Sequence, residues 1–358
     1  MFHFSFFPLA VARRAAALAT GLALSAIASA QALPEAAVRT VAPVGTIWPA
    51  TPEFDFAGKV KKTRRAVSGI ACAPDREARP VCLLAFDEGV AMRFARLGDG
   101  RLLPAGPPLV LGKDGDELDA EGAATDGRHF YVTGSHAVKR GNCQPNPASR
   151  HVLRIARDQR TGLAADPPDL RDAGSLLPLI AHMPPFDGQA GREPCLGEGG
   201  IDIEGLALSQ GRLHFGLRGP NGPDGTAYIV SVDADAFFAG QDARPALQRV
   251  AVGAGRGIRD MVAVRDGLLL LSGPDDDPAH AGLPWQVLLW RNAPAGANPP
   301  APQRLATLDL AGVKLRGCDK EIKPEAITVR EETPARYRVL VLSDGLCDGG
   351  ALAFDIPR

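Results

Sequence analysis

The sequence predicts an all-β chain folded as a β-propeller of four-stranded antiparallel blades, and two observations carry that prediction. Five segments can be laid over one another: Ser68-Gly69-Ile70-Ala71-Cys72, Glu121-Gly122-Ala123-Ala124-Thr125, Glu204-Gly205-Leu206-Ala207-Leu208, Asp260-Met261-Val262-Ala263-Val264 and Glu325-Ala326-Ile327-Thr328-Val329. Four of the five open on a carboxylate, each is followed by a turn and a second apolar run, and their starts lie about 50 to 80 residues apart; strand-rich units repeated at such spacing mark propeller blades. The composition agrees: 40 glycines and 31 prolines serve many turns, and sustained helical periodicity is scarce apart from a helix expected from Asp169 to Ala181. Five blades are expected. The rival is a six-bladed ring with a degenerate unit hidden between Gly134 and Ile203.

The N-terminus is set apart from the fold. Arg13 and Arg14 precede an apolar run from Ala15 to Ile27, and Ala28-Ser29-Ala30 supplies the small residues of a cleavage site. Residues 1–30 therefore read as a secretory signal peptide, with Gln31 the first mature residue; the run is too short for a membrane anchor. Residues 31–358 form one propeller domain, expected to be a periplasmic or secreted monomer with no membrane span. The formal net charge of the whole chain is -1 and falls further when the two signal arginines go, so there is no electrostatic case for nucleic acid or anionic lipid.

All six cysteines lie in the mature part, an even count that suits three disulfides in an oxidising compartment, although six cysteines allow fifteen connectivities. Cys72 and Cys82 fall on consecutive strands joined by the Pro74 to Arg79 turn, which points to a hairpin bridge. Cys143 with Cys195, and Cys318 with Cys347, then pair loop to loop. No CxxC occurs and the histidines are not spaced against the cysteines, so zinc has little support.

Within the third unit, Ile203 to Leu208 reads as an apolar strand, Gln210-Gly211 as the turn, and Arg212 to Leu217 as the return, with Leu213, Phe215 and Leu217 on one face. Ala227 to Val232 and Leu247 to Val252 complete it. The fourth unit repeats the plan with Met261 to Val264, Gly267 to Leu271, Gln286 to Trp290 and Arg304 to Leu308. The fifth ends after Ala351 to Asp355, short of a blade, so an N-terminal strand within Phe54 to Lys61 is expected to close the ring.

Propeller geometry places chemistry at one rim, where the first strand of each blade begins and the second ends. The first ends bring Glu121, Glu204, Asp260 and Glu325, with Asp119 and Asp202 just before two of them; the second ends bring Asp87, His136, Arg218, Asp275 and Asp344. Carboxylates crowded around one opening repel one another unless compensated. Compensation could come from a hard cation such as Ca2+ or from Arg218, Arg259, Lys323 and Lys139. The alternative is structural: each acid accepts backbone N–H bonds from the next blade and locks neighbours together. Gly122 and Gly205 would admit backbone or ligand at close approach.

Other signals are weaker. Asp114-Gly115-Asp116-Glu117 and Asp275-Asp276-Asp277 resemble calcium-loop fragments but lack the EF-hand spacing, and read as solvated acidic turns. His136 beside the acids could serve as a general base, whereas His214, alternating with apolar neighbours, reads as a core or interblade residue. There is no Gly-x-Ser-x-Gly elbow, His-Glu-x-x-His or P-loop.

The string Ile203-Glu204-Gly205-Leu206-Ala207, with Leu217-Arg218-Gly219-Pro220 after the turn, resembles an uncharacterised family of bacterial exported propellers, which is similar in turn to the esterase-like, phytase-like propellers. The resemblance implies a propeller and, more loosely, calcium-assisted phosphoester chemistry; Arg259-Asp260-Met261 and Lys323-Pro324-Glu325-Ala326 depart from its Asp-x-Glu-Gly step. Two functions are therefore expected. As a binding module, the mouth would hold a small anionic or sugar-like ligand through Arg218, Arg259, Lys323 and Asp344. As a hydrolase, Ca2+ held by Glu121, Glu204, Asp260 and Glu325, with Asp119 and Asp202, would activate water while Arg218 stabilised charge, with Glu204, Glu121 and His136 catalytic. A scaffold for another protein would instead show an exposed apolar patch.

Overall fold

The structure, a computed structural model, describes residues 38–56, 59–112, 117–187, 194–293 and 299–358. The expected signal peptide and the Asp114 and Asp116 turn lie outside the described residues. What is described is nearly all strand, arranged as five blades around an axis.

Blade 1 comprises Val67–Pro74, Pro80–Phe86, Ala91–Leu97 and Leu102–Pro104; blade 2 comprises Ala120–Thr125, His129–Gly134, Val152–Ala156 and Leu170–Asp172. Blade 3 follows with Asp202–Ser209, Arg212–Gly219, Thr226–Asp233 and Ala246–Ala251, and blade 4 with Arg256–Val264, Gly267–Pro274, Gln286–Arg291 and Gln303–Leu308. Blade 5 has three strands of its own, Lys323–Glu332, Arg336–Asp344 and Leu352–Pro357. The first strand of each blade lies innermost, and the five innermost strands neighbour one another around the axis. Period-2 alternation builds the core between blades: Leu213, Phe215 and Leu217 are fully buried in one cluster with Tyr131 of blade 2, while Ile229 and Val250 pack with Ile258 and Met261 of blade 4.

The ring is closed by an N-terminal strap from Arg39 to Ala50, ahead of the Phe54 to Lys61 segment that the sequence led us to expect. Arg39–Val41 runs parallel to the outermost strand of blade 4. Val44 N–H then donates to Ala353 (2.7 Å) and Trp48 N–H to Ala351 (2.9 Å) on the last strand of blade 5, and Ala50 bridges Leu102 of blade 1. One segment thus stitches three blades. Ile47 enters the core between blades 4 and 5 while Trp48 enters that between blades 5 and 1. Phe54 and Phe56, placed in the closing strand by sequence, instead pack edge-on against Phe86, and a one-turn helix occupies Val60–Thr63.

The interval from Gly134 to Ile203 contains no sixth blade among its described residues. It supplies the outer strands of blade 2 and a loop whose Leu176, Ile180 and Phe186 are fully buried against blade 3. The expected helix from Asp169 to Ala181 is replaced by strand Leu170–Asp172 and the single turn Leu177–Ile180. Gly174 breaks it with a left-handed φ of 76°, and Pro178, tolerated only in a first turn, permits helix to begin no earlier than its own neighbourhood.

Two disulfides, Cys72–Cys82 across the blade 1 hairpin and Cys143–Cys195 between loops, are formed, in accord with an oxidising compartment. The expected third bridge is not: Cys318 and Cys347 are thiols whose sulfurs lie within 4.8 Å of each other, beside Asp319. No helix among the described residues is long and apolar enough to cross a membrane.

Candidate functional site at the channel mouth

All five inner hairpins carry a register shift at the same place. The pairing skips Ser68 in blade 1, Glu121 in blade 2, Glu204 in blade 3, Arg259 in blade 4 and Glu325 in blade 5. A bulged residue leaves the ladder and its side chain is re-aimed. The propeller therefore sets one bulged residue per blade around its axis, and in blade 4 that residue is Arg259, one position before the aspartate chosen by sequence overlay.

Arg259 makes the ring cohere. Its guanidinium reaches Glu204 of blade 3 (3.1 Å) on one side and hydrogen-bonds Glu325 of blade 5 on the other, and its side chain is 3% exposed. Ser68 donates to Glu325 (3.4 Å), carrying the chain of contacts on to blade 1. Arg218 adds a second cation, 3.0 Å from Glu204 and 3.1 Å from Asp276. Burial alone would lower its pKa, but Glu204, Asp276 and Asp202 outweigh that and hold it above the ordinary arginine value. Glu121 is the exception: only 9% exposed, it is reached by neither Arg259 nor Arg218, whose ion pairs go to the other acids. Burial, then the charges of Glu204 and Asp119, hold it well above the usual carboxylate range.

Asp260 is a blade lock. It is fully buried and accepts the backbone N–H of Ile327 in blade 5 at 2.7 Å. The glycines after the bulges have a related role. A Cβ on Gly69 would fall 2.7 Å from Glu121 O, and one on Gly122 would fall 2.7 Å from Leu206 Cβ, so the inner strands approach backbone to backbone where the side chain is absent.

A cavity of about 580 Å³ opens at this mouth. Glu121, Glu204, Arg218, Arg259, Lys323, Glu325 and Asp344, each expected at the site from sequence, all line it. Asp119 and Asp202 line an adjoining cavity of about 680 Å³ instead. Asp119 adopts a left-handed φ of 50° and takes a hydrogen bond from Ser135, while Asp202 is raised by burial and then by Asp276. Lys323 pairs with Asp344. Glu325 is pushed up to about 7 by burial, against the pull of Arg259. His136 reaches neither cavity. Its ring is fully buried, Nδ1 donates to Gly134 O (3.0 Å), Nε2 accepts from Leu176 N–H (2.9 Å), and burial lowers its pKa to about 4. Both nitrogens being engaged, it is placed to brace a loop and not to move protons.

Sequence reasoning missed three mouth residues, Asp276, Arg140 and Trp285. Asp276, read as part of a solvated turn, is buried to 3% beside Arg218, and its neighbours are structural: Asp275 meets His280 (2.7 Å) and Asp277 caps the turn Pro278–His280. Asp87, placed at the rim by sequence as the end of a second strand, does line the cavity, with Oδ1 buried and unpartnered. Arg140 and Trp285 come from loops with no repeat register; Trp285 lies 5.6 Å from the Arg259 guanidinium.

The four acids expected to cage Ca2+ do not converge. Two are held by Arg259, one by the Ile327 backbone, and the fourth is Glu121 alone; among the described residues, only Cys318, Asp319 and Cys347 bring three ligand atoms within 4.8 Å. Asp319 is itself engaged by Arg316 and the Cys347 N–H. The ring as it stands does not fit a calcium cage, and no chemical step is derived through the metal.

Fold and mouth together define a five-bladed propeller with a charged, partly buried cavity on its axis. The chain belongs to the family described as "Protein of unknown function (DUF3616)", whose pattern matches residues 101–162 and 194–349. No curated protein matches it. Among solved structures it is similar to the GH43 endo-arabinanase from Bacillus licheniformis (9% identity, TM-score 0.40, 85% of this chain and 95% of that one). It is also similar to the Penicillium chrysogenum alpha-L-arabinanase complexed with arabinobiose (10%, 0.38, 89% and 98%) and to the Aleuria aurantia lectin in complex with Fucalpha1-6GlcNAc (10%, 0.38, 81% and 95%). At these identities the likeness is one of fold, and nothing about the site is carried over.

Proposed function

We propose that the protein is an exported, monomeric propeller that binds a small hydroxyl-rich ligand, sugar-like in its chemistry, at the channel mouth. The observation that carries this reading is the unequal ring. Arg259 and Arg218 are already engaged by Glu204, Glu325 and Asp276, so neither is free to neutralise an anion, whereas Glu121 and Asp87 line the cavity away from both arginines, Asp87 with a buried, unpartnered Oδ1. Carboxyl groups in that state accept from and, when protonated, donate to hydroxyls. Trp285 offers the apolar ring face that small-molecule sites combine with a few convergent polar groups. A scaffold role has less support: the exposed large apolar side chains among the described residues are Val44, Val60, Leu103, Val110 and Leu315, scattered over the strap, the first blade and a loop.

Thermal melts of the oxidised mature protein with monosaccharides and polyols, with phosphorylated sugars, and with Ca2+ or EDTA test the reading. A rise in melting temperature with neutral hydroxylated compounds, lost in Glu121→Gln, supports it. A response to Ca2+ alone, accompanied by phosphoester turnover in the same samples, would replace it with the metal-dependent hydrolase.

A further inference from the structure

The mouth cavity is one of three that adjoin. It shares Glu121 and Arg140 with the 680 Å³ cavity over blade 2, whose floor includes Ala148 and Asn146. On its other side it shares Asp87, Glu321 and Asp344 with a third cavity of about 470 Å³, between blade 5 and the Val60–Thr63 helix. An acid thus stands at each boundary: Glu121 at the first and Asp87, whose Oδ1 is buried without a hydrogen-bond partner, at the second. Each cavity alone has the volume of a small-molecule site, about 300–1,000 Å³. Side chains, not backbone, are what they have in common.

We infer that the three cavities are compartments of a single groove that arcs across the mouth and takes a neutral oligosaccharide, one or more sugar units per compartment, with Glu121 and Asp87 binding hydroxyls at the two junctions. The inference rests on the proposed binding of a hydroxyl-rich ligand and adds its length and its repeating character. Two features support a chain over a single sugar. The orphaned buried acceptor at the second boundary, Asp87 Oδ1, is what a ligand passing through that boundary would satisfy, since a buried polar group without a partner is costly. The loop carrying Arg140 is tied by Cys143 to Cys195, so the wall of the first compartment is fixed before a ligand arrives, which lowers the ordering cost of binding.

The test is a printed array of neutral mono- to hexasaccharides of the common hexoses and pentoses, followed by calorimetry of the best series on wild type and Ala148→Phe. Ala148 lines the outer compartment over blade 2 and not the mouth cavity, and a phenyl ring there would obstruct that compartment from a residue outside the ring of bulged residues. The expected result is at least tenfold tighter binding of a trisaccharide than of its monosaccharide, with Ala148→Phe abolishing most of that difference and leaving the monosaccharide within twofold. Equal affinity for mono- and trisaccharide, or an Ala148→Phe variant that binds both as wild type does, would overturn the groove while leaving the mouth site standing. No binding anywhere on the array would overturn both.

Discussion

Arg259 is the only cation among the five bulged residues, and Arg259→Met is the substitution that most directly tests whether the ring is held by charge. The change keeps most of the aliphatic stem but leaves Glu204 and Glu325 facing each other's blades across a buried space, their side chains 5% and 8% exposed. Breaking a buried ion pair by removing one partner costs about 3–5 kcal/mol. At about 2 °C per kcal/mol, the lower end for larger domains, that is a fall of about 6–10 °C in Tm. The sign with pH follows from Glu325. Its folded pKa, about 7, lies above its ordinary 4.5, so its contribution favours the folded state most below pH 4.5 and is lost as pH rises through 7. Without Arg259 the folded value climbs further, and the deficit of the variant must be larger at pH 8 than at pH 5. Urea unfolding at both pH values reads it, and adding Glu325→Gln to Arg259→Met should recover part of the loss. A deficit below about 1 kcal/mol at pH 8, the size of a solvent-exposed pair, or one that is greater at pH 5, would refute the account of the ring.

Further outcomes follow from the same geometry. His136 and His214, both lowered to about 4 by burial, stay neutral in the folded state while the unfolded chain takes up protons near 6.5; each should contribute about 3 kcal/mol that is present above pH 6.5 and lost as pH falls toward 4. His136→Ala should flatten the slope of unfolding free energy against pH in that window by about one proton, and an unchanged slope would contradict its burial as a neutral ring. Gly122→Ala, whose Cβ would sit 2.7 Å from Leu206 Cβ and 2.8 Å from its backbone N, should cost about 1–3 kcal/mol in chemical denaturation. Gly205→Ala, with its nearest contacts at 3.2 Å, should cost less, and the reverse order would show that inner-strand approach is not what the glycines serve. Removing Cys143–Cys195, at a sequence separation of 52, should destabilise more than removing Cys72–Cys82, at a separation of 10, by chain entropy about 4 against about 3 kcal/mol; Tm measurements on the paired Ser variants check the order.

Much of the fold was legible because a blade repeats its physics. Alternation at Leu213, Phe215 and Leu217 and the turn at Gln210-Gly211 are local, and the structure reproduces those strands nearly residue for residue. The closing strap was not legible in the same way. Val44–Trp48 makes two backbone bonds to blade 5 without forming a regular strand, so it carries no run of alternation, whereas Phe54 and Phe56, which do alternate, use it to enter a core instead. At the site, overlaying apolar runs aligned Asp260 with Glu204 and Glu325. The bulge shifts the register by one, which a hydrophobic pattern cannot record, and so Asp260 was given the place that Arg259 holds. Asp276 and Arg140 lie on loops outside the repeat, where only the path of the chain brings them to the axis.

A symmetric frame here yields an asymmetric site, and the reason lies in the identity of five residues. Identical bulges would place five equal side chains at the axis; four carboxylates and a serine would then repel across the channel. Substituting arginine at the blade 4 position neutralises its two flanking neighbours, and Ser68 extends the bonded arc through Glu325 to blade 1. An arginine spans only adjacent blades, which leaves blade 2 beyond its reach. Glu121 is consequently the one ring member set against like charge with no counter-ion, and Asp87, behind the Ser68 position at the end of the next strand of blade 1, shares that lack. Binding capacity is thereby concentrated on the blade 1 and blade 2 side of the mouth. If Glu121→Gln and Asp87→Asn each raise thermal stability in the absence of ligand while weakening ligand binding, the two acids are retained for binding at a cost to folding; if both substitutions lower stability, they are structural and the site must be sought elsewhere on the mouth.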